Sequence, residues 1–236
     1  MIKIEGIKHK ILDIKKIEID SNTAIIGPNG SGKSLLLRII THDLYPEKLK
    51  SRKVFGKKII LNEARKLFGV VNSELEYFYK NENISVFDAV ISAFKEALVV
   101  YNFFNFSKSE TKRAKELCEF FKLTENQAVN TLSLGELKKM LIARALVHNP
   151  EILCLDEPTN GLDIKAKMEF LEILENLDIM KILITHDFKE ITSSYSKIIM
   201  LRNGVIFKEG GREILSFKNI SELFEIEINK LKEYYG

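Results

Sequence analysis

The sequence predicts an α/β fold with a mainly parallel sheet, an antiparallel β piece at the N-terminus and an inserted helical subdomain. Three patterns carry that expectation. Short apolar runs, ended by glycine or acidic residues, alternate with segments of helical period, as expected when helices cover both faces of parallel strands. The first twenty residues alternate apolar and polar in steps of two, the period of a half-buried strand. From Ser85 to Val147 the apolar residues recur at helical spacing instead.

Taken in order, Ile2 and Ile4, then Ile14, Ile17 and Ile19, mark edge strands. Thr23–Ile26 is a short apolar run stopped by Gly27 and reads as a buried central strand. Lys33–Thr41 is helical and apolar on most sides through Leu35, Leu36, Leu37, Ile39 and Ile40, so that helix is expected inside the fold. Strand-like runs follow at Lys58–Leu61 and Gly69–Val71. In the insert, helix starts are expected at Ser85, Ser107 and Thr124, with Asp88, Glu110 and Gln127 three residues on, the spacing of a capping box. Beyond it lie strand Ile152–Leu155, helix Ile164–Leu177, strand Lys181–Thr185, strands near Ile198–Leu201 and Val205–Phe207, and a final helix over Ser221–Tyr235. The expected organisation is one domain over 1–236, with an α/β core from 1–84 and 148–236 and a helical subdomain at 85–147.

Apolar residues make up 45% of the chain and charged residues 29%, an ordinary globular balance. No apolar run reaches the roughly 18 residues of a membrane-spanning helix, and Met-Ile-Lys-Ile-Glu opens a strand, not a secretory leader. A cytoplasmic chain is expected, able to sit peripherally on the inner face of a membrane. Two cysteines, Cys118 and Cys154, lie in apolar patterns and read as core residues, with no disulfide framework. The net charge of +3 is too small to argue for direct nucleic-acid binding.

Gly27-Pro28-Asn29-Gly30-Ser31-Gly32-Lys33-Ser34 fits G-x-x-x-x-G-K-[ST] between an expected strand and an expected helix. Glycines let such a loop fold back so that successive N–H groups point at a phosphate. The helix that follows, with Lys33, Ser34 and Leu35 in its first turn, adds the positive end of its dipole. Lys33 can reach the β- and γ-phosphates of ATP, and the Ser34 hydroxyl suits Mg2+. The core therefore reads as a P-loop NTPase.

Ile152-Leu153-Cys154-Leu155-Asp156-Glu157-Pro158 is an apolar strand ending in two carboxylates. If it runs parallel to the Thr23 strand and beside it, Asp156 arrives next to the loop and can hold Mg2+ through water. Glu157, one residue on, is then placed to orient and deprotonate the attacking water, and apolar surroundings would make it more basic. Pro158 stops the strand.

With these residues the chain resembles the nucleotide-binding domain of ABC ATPases, and four further stretches extend the resemblance over most of its length. Leu132-Ser133-Leu134-Gly135-Glu136 is similar to the signature LSGGQ, Asn160-Gly161-Leu162-Asp163 to the D-loop, and Thr185-His186-Asp187 to the switch histidine. Leu-Asp-Glu-Pro-Thr-Asn-Gly-Leu-Asp, from Leu155 to Asp163, is the most specific of them. Ser133 and Glu136 also have capping-box spacing, which presents a helix N-terminus that favours an anion. The resemblance implies that Ser133 and Gly135 contact the γ-phosphate held by an opposite subunit, in a head-to-tail homodimer or a heterodimer with another ABC ATPase subunit. It implies that His186 contacts the γ-phosphate and holds Glu157 and water in place, and that Asp163 belongs to the nucleotide-contacting set.

The sequence departs from the family pattern at three places. Leu134 replaces a glycine and Glu136 a glutamine of the signature, and the glutamine that ligates Mg2+ in the family is missing, since Gln127, the only glutamine, lies just before the signature. Asn72 stands at its expected place after the Gly69–Val71 strand. His9 is the candidate for stacking on adenine. Tyr77, Phe78 and Tyr79 with Phe103, Phe104 and Phe106 form an aromatic edge that is either subdomain core or a grip on a partner. Two functions follow: the ATPase subunit of a transporter, working on a separate membrane-spanning permease, or a soluble ABC ATPase acting on a cytosolic partner. A third, an ATP-binding switch without hydrolysis, is opposed by the presence of Lys33, Asp156, Glu157 and His186.

Overall fold

The structure, a computed structural model, describes residues 1–235; Gly236, the last residue of the expected domain, lies outside them. In chain order the elements are β1 (Ile2–His9), β2 (Leu12–Ile19), β3 (Thr23–Ile26), α1 (Lys33–Ile40), β4 (Ser51–Val54), α2 (Leu61–Leu67), β5 (Phe68–Val71) and α3 (Ser73–Lys80). There follow α4 (Val86–Ile91), α5 (Lys108–Phe120), α6 (Leu134–Ala145), β6 (Ile152–Asp156), α7 (Ile164–Asn176), β7 (Met180–Thr185), β8 (Lys197–Arg202), β9 (Val205–Gly210), α8 (Phe217–Phe224) and α9 (Ile228–Tyr235). They fall into two compact units, one formed by 1–65 with 180–236 and the other by 66–179.

In the first unit β1 pairs antiparallel with both β2 and β4, so three strands form a separate sheet. Its pleat explains the alternation in sequence. Ile2, Ile4, Ile7, Ile14, Ile17 and Ile19 are buried on one face, while Lys3, Glu5, Lys16 and Glu18 pair across the other. The second sheet region of this unit is built on β3, buried at all four residues and hydrogen-bonded in parallel to β7 and β8; β9 joins β8 antiparallel. The Asn22 side chain ties the entry of β3 to its neighbours, its Oδ1 accepting from the Lys181 N–H at 2.8 Å and its Nδ2 donating to the Ser194 carbonyl at 3.2 Å. Asp156 does not lie on a neighbour of β3, as the sequence led us to expect, because both edges of β3 are taken by β7 and β8.

In the second unit β5 and β6 pair in parallel, from Phe68–Ile152 to Val71–Leu155. Around them Ala89, Val90, Leu117, Cys118, Leu137, Met140 and Leu141 are buried from α4, α5 and α6. Arg144 of α6 crosses this core: its guanidinium donates to the Ala89 carbonyl at 2.5 Å, to the Ser92 hydroxyl at 2.7 Å and to the Ala97 carbonyl, and it lies over the Tyr79 ring. A buried charge is tolerated only with such a set of acceptors. Lys138, 2% exposed, is likewise matched to Glu76 of α3 at 2.8 Å. Cys118 and Cys154 are both buried thiols, and burial pushes the Cys118 thiol up to about 11.

Three local expectations are corrected. Lys58–Leu61 is not a strand; Leu61 opens α2, where the Glu63 carboxylate reaches back to the Ile60 N–H at 2.9 Å and only Ala64 is buried. The short strand β4 lies earlier, at Ser51–Val54. Thr124 caps no helix: the chain there turns so that the Glu125 and Gln127 carbonyls accept from the Phe87 and Val86 N–H groups, supplying acceptors to the first turn of α4. The C-terminal helix is two helices, broken where Glu225 adopts a left-handed φ of 57°.

Candidate functional site

The residues singled out from the sequence are distributed over both units. In the first, β3 ends at Ile26 and α1 begins at Lys33, with Gly27–Gly32 forming the turn between them. Gly32 caps α1 at φ 99°, a conformation closed to most side chains, and a Cβ there would lie 2.7 Å from Leu12 Cδ2. Strand β2 therefore sets how near the loop can approach.

Lys33 is 5% exposed, and its ammonium donates to the Gly27 carbonyl at 2.8 Å and the Pro28 carbonyl at 3.1 Å. These bonds fold the lysine back over its own loop, ordering a side chain whose rotamer entropy is worth up to about 2 kcal/mol. Ser31 is 2% exposed and its hydroxyl is buried without a hydrogen-bond partner among the described residues. Such a group costs on the order of 1–3 kcal/mol, and a phosphate oxygen in the loop would satisfy it. The first-turn amides of α1, which have no intrahelical acceptors, and the buried ammonium complete a cradle that fits a polyphosphate. Ser34 is exposed beside Lys33, and Leu35 is half-buried one residue further along α1.

One support of this loop was not foreseen. The Asn203-Gly204 turn joining β8 to β9 is wedged between the loop and the β1–β2 hairpin: the Gly204 N–H donates to the Ser31 carbonyl at 3.1 Å, and its carbonyl accepts from the Asp13 N–H at 2.9 Å. Gly204 has φ 77°, and a Cβ would stand 1.7 Å from the Ile11 carbonyl oxygen. The Asn-Gly pair signals a tight hairpin turn in the sequence, but nothing local says what the turn touches. His9 is tied to Glu47, its Nδ1 accepting from the Glu47 N–H at 3.3 Å. Ile11, 51% exposed, also lies beside Gly32, its Cδ1 3.4 Å from where a Cβ would stand.

His186 is exposed immediately after β7, on a turn whose neighbours are buried: Thr185 is 1% and Glu190 3% exposed. The Thr185 hydroxyl donates to Glu190 Oε2 at 2.6 Å and accepts from the Asp187 N–H at 2.9 Å.

In the second unit Asp156 is the last residue of β6, and Glu157 follows in the left-handed region at φ 48°. A non-glycine residue held there stores on the order of 1 kcal/mol or more. Asn160 holds it in two ways, donating from Nδ2 to Glu157 Oε2 at 2.6 Å and from its N–H to the Glu157 carbonyl at 3.3 Å. Asn160 was placed in the D-loop from sequence, but its grip on Glu157 emerges only in the fold. Further along, Asp163 caps α7, its Oδ1 accepting from the Ala166 N–H at 2.9 Å.

Ser133 caps α6 in a complete capping box: its Oγ accepts from the Glu136 N–H at 3.3 Å and its N–H donates to Glu136 Oε2 at 2.8 Å. Its hydroxyl also lies 2.7 Å from the same carboxylate, and the Ser133 bonds hold the Glu136 carboxyl below the usual range. Ser133, Gly135, Lys139, Gly161, Asp163 and Ala166 line a cleft of about 250 Å3 within this unit. Leu134, where the family has glycine, packs its Cδ2 so near Gly161 that a Cβ there would meet it at 2.9 Å. Thus the extra side chain braces the signature turn against the D-loop turn.

Asn72 is the N-cap of α3, its Oδ1 accepting from the Leu75 N–H at 2.9 Å. The aromatic edge divides. Tyr79 is fully buried and donates to the Leu98 carbonyl at 2.6 Å, whereas Tyr77 and Phe103 are 76% and 74% exposed. Tyr101 stacks on Phe103, and Phe104 meets Phe103 and Phe106 edge to face.

Comparison with known proteins places these residues in a family. The model of the ABC transporter family matches residues 14–160. An uncharacterised ABC transporter ATP-binding protein of Methanocaldococcus jannaschii is 32% identical over 249 residues, covering 96% of this chain and 92% of its own. The molybdate/tungstate import ATP-binding protein of the same organism is 31% identical over 224 residues, covering 91% and 72%. Among solved structures, a dimeric ATP-binding cassette in a post-hydrolysis state, bound to ADP and Pi, aligns with a TM-score of 0.70 at 25% identity, over 89% of this chain and 98% of that one.

Proposed function

Because this chain belongs to the ABC transporter family of ATP-binding proteins and is an ATPase of that family, we propose that it is the subunit that energises a separate membrane-spanning permease by binding and hydrolysing ATP as a dimer. The observation that carries the ATP reading is the loop between β3 and α1, with Lys33 held on two loop carbonyls and the Ser31 hydroxyl buried without an acceptor. The transport reading rests on the relatives, which include an import ATP-binding protein.

In this reading the loop amides of Gly30, Gly32, Lys33 and Ser34 and the Lys33 ammonium bind the β- and γ-phosphates, with Gly27, Pro28, Asn29 and Ser31 shaping the loop and Leu35 continuing it into α1. Hydroxyl and carboxylate oxygens suit a hard cation, so Ser34 and Asp156 are the residues to hold Mg2+, with Asn72 as a further oxygen. When bound, the ion neutralises phosphate charge as it develops. Glu157, kept in its strained backbone by Asn160, orients water and takes its proton. His186 contacts the γ-phosphate. Ser133 and Gly135, on the positive end of α6, contact the γ-phosphate held by a second subunit, and Asp163 joins that interface. The helical segment 85–147, between core stretches 1–84 and 148–236, is the part that brings Ser133 and Gly135 to the partner.

Replacing Glu157 by Gln leaves ATP binding intact, lowers turnover by about 100-fold or more, and traps a dimer that is stable in ATP and dissociates in ADP. Wild-type turnover would remove Glu157 as the base. The transport role is checked by purifying the tagged chain from detergent-solubilised membranes of its host. A polytopic membrane protein should copurify and alter the ATPase rate, whereas an active chain recovered solely from the soluble fraction, with a soluble partner, overturns it.

A further inference from the structure

We propose that Glu190 is a positioning residue for hydrolysis, acting through Thr185 to hold the turn that presents His186; this rests on the reading that His186 contacts the γ-phosphate. The group to explain is a carboxylate 3% exposed, five residues beyond the end of β7 and four beyond His186. A side chain needed only to seal this corner could be apolar, and burying a carboxylate is costly unless it takes donors. Glu190 takes a short, charge-assisted bond from the Thr185 hydroxyl at 2.6 Å.

That bond sets the direction of the hydroxyl. With its proton committed to Glu190, the Thr185 oxygen presents lone pairs to the Asp187 N–H, which donates to it at 2.9 Å. The Glu190 N–H in turn donates to the Asp187 carbonyl at 3.1 Å, and Asp187 Oδ1 accepts from the Lys189 N–H at 2.9 Å. Both residues flanking His186 are thereby tied into one network anchored on the buried Thr185 and Glu190, while His186 itself is exposed. The arrangement fixes the backbone under the imidazole, so it governs where the ring is offered. Turnover is sensitive to displacements of this kind.

Glu190→Gln keeps the volume but removes the obligate acceptor: the amide can donate to Thr185 and reverse the hydroxyl. The test is a cycle of Glu190→Gln and His186→Ala, measuring kcat, KM for ATP and Tm. Alone, Glu190→Gln should lower kcat about ten-fold while KM changes by less than about two-fold and Tm falls by no more than about 4 °C. In the His186→Ala background it should cost nothing further. Thr185→Val should reproduce the loss and Thr185→Ser should restore it, which keeps the test open if the Gln variant fails to fold. Losses that multiply in the double variant, or a fall in kcat matched by falls in ATP affinity and Tm, overturn the proposal. Wild-type kcat in His186→Ala sinks the assignment of His186 itself, and that outcome is distinguishable because it needs no Glu190 variant.

Discussion

At the scale of single residues, the side chains that carry charge are held by their neighbours. Lys33 lies on loop carbonyls, and Glu157 sits at a positive φ under Asn160. Lys33→Ala should abolish nucleotide binding, since it removes the only cation that the loop itself supplies; titration with a fluorescent ATP analogue giving a near wild-type Kd would refute the phosphate-loop assignment. His42 makes a different point. It follows α1 at φ 69° with Nε2 buried and without a hydrogen-bond partner among the described residues. Burial, and then the Arg52 charge, lowers its pKa from 6.5 to about 4. The folded state thus binds fewer protons there than the unfolded chain, so this contribution to stability is complete above about pH 6.5 and is lost as pH falls toward 4. His148, also lowered chiefly by burial, acts with the same sign. His42→Asn, which tolerates a left-handed backbone, should flatten the stability–pH curve across that window in urea melts, and an unchanged slope would exclude His42 as its source.

At the scale of elements, what could be read early depended on whether the deciding contacts were local. The capping boxes at Ser107 and Ser133 were legible because donor and acceptor lie three residues apart on one helix turn. The same spacing at Thr124 misled, because those residues turn to serve α4 instead. Lys58–Leu61 misled for another reason: a short apolar run has no period of its own, and α2 buries only one residue. The break between α8 and α9 falls at Glu225, with no glycine to announce it. The β8–β9 turn is the clearest case of an element whose role is tertiary. Gly204→Ala would combine backbone strain of about 1–3 kcal/mol with a Cβ 1.7 Å from the Ile11 oxygen. The variant should lose at least that much stability in denaturant melts and bind ATP more weakly, because Ser31 loses its anchor. Unchanged stability and affinity would mean that the turn yields freely.

At the scale of the whole molecule, no helix among the described residues is long and apolar enough to cross a membrane. The cleft lined by Ser133, Gly135 and Asp163 lies wholly within the 66–179 unit, and in the proposed dimer it faces the nucleotide of a second subunit. Ser133→Arg, introduced into the Glu157→Gln background, should leave monomeric ATP binding within about two-fold and abolish the ATP-trapped dimer on size exclusion. A dimer that still forms would exclude the α6 N-terminus from the interface. Leu134 enters at the same scale: its packing on Gly161 couples the signature turn to the D-loop turn within one unit.

The sequence by itself determined the glycine-rich turn before α1, the acidic end of β6, the capping box of α6 and the family, because each is a short run legible from spacing along the chain. Tertiary structure alone decided that β7 and β8, not β6, flank β3, that Gly204 braces the loop, that Asn160 grips Glu157 and that Glu190 underlies the His186 turn. These are contacts made through hydrogen bonds and close packing between atoms whose meeting depends on how the backbone turns or which strands pair. No periodicity records them, since it reports only which face of an element is buried.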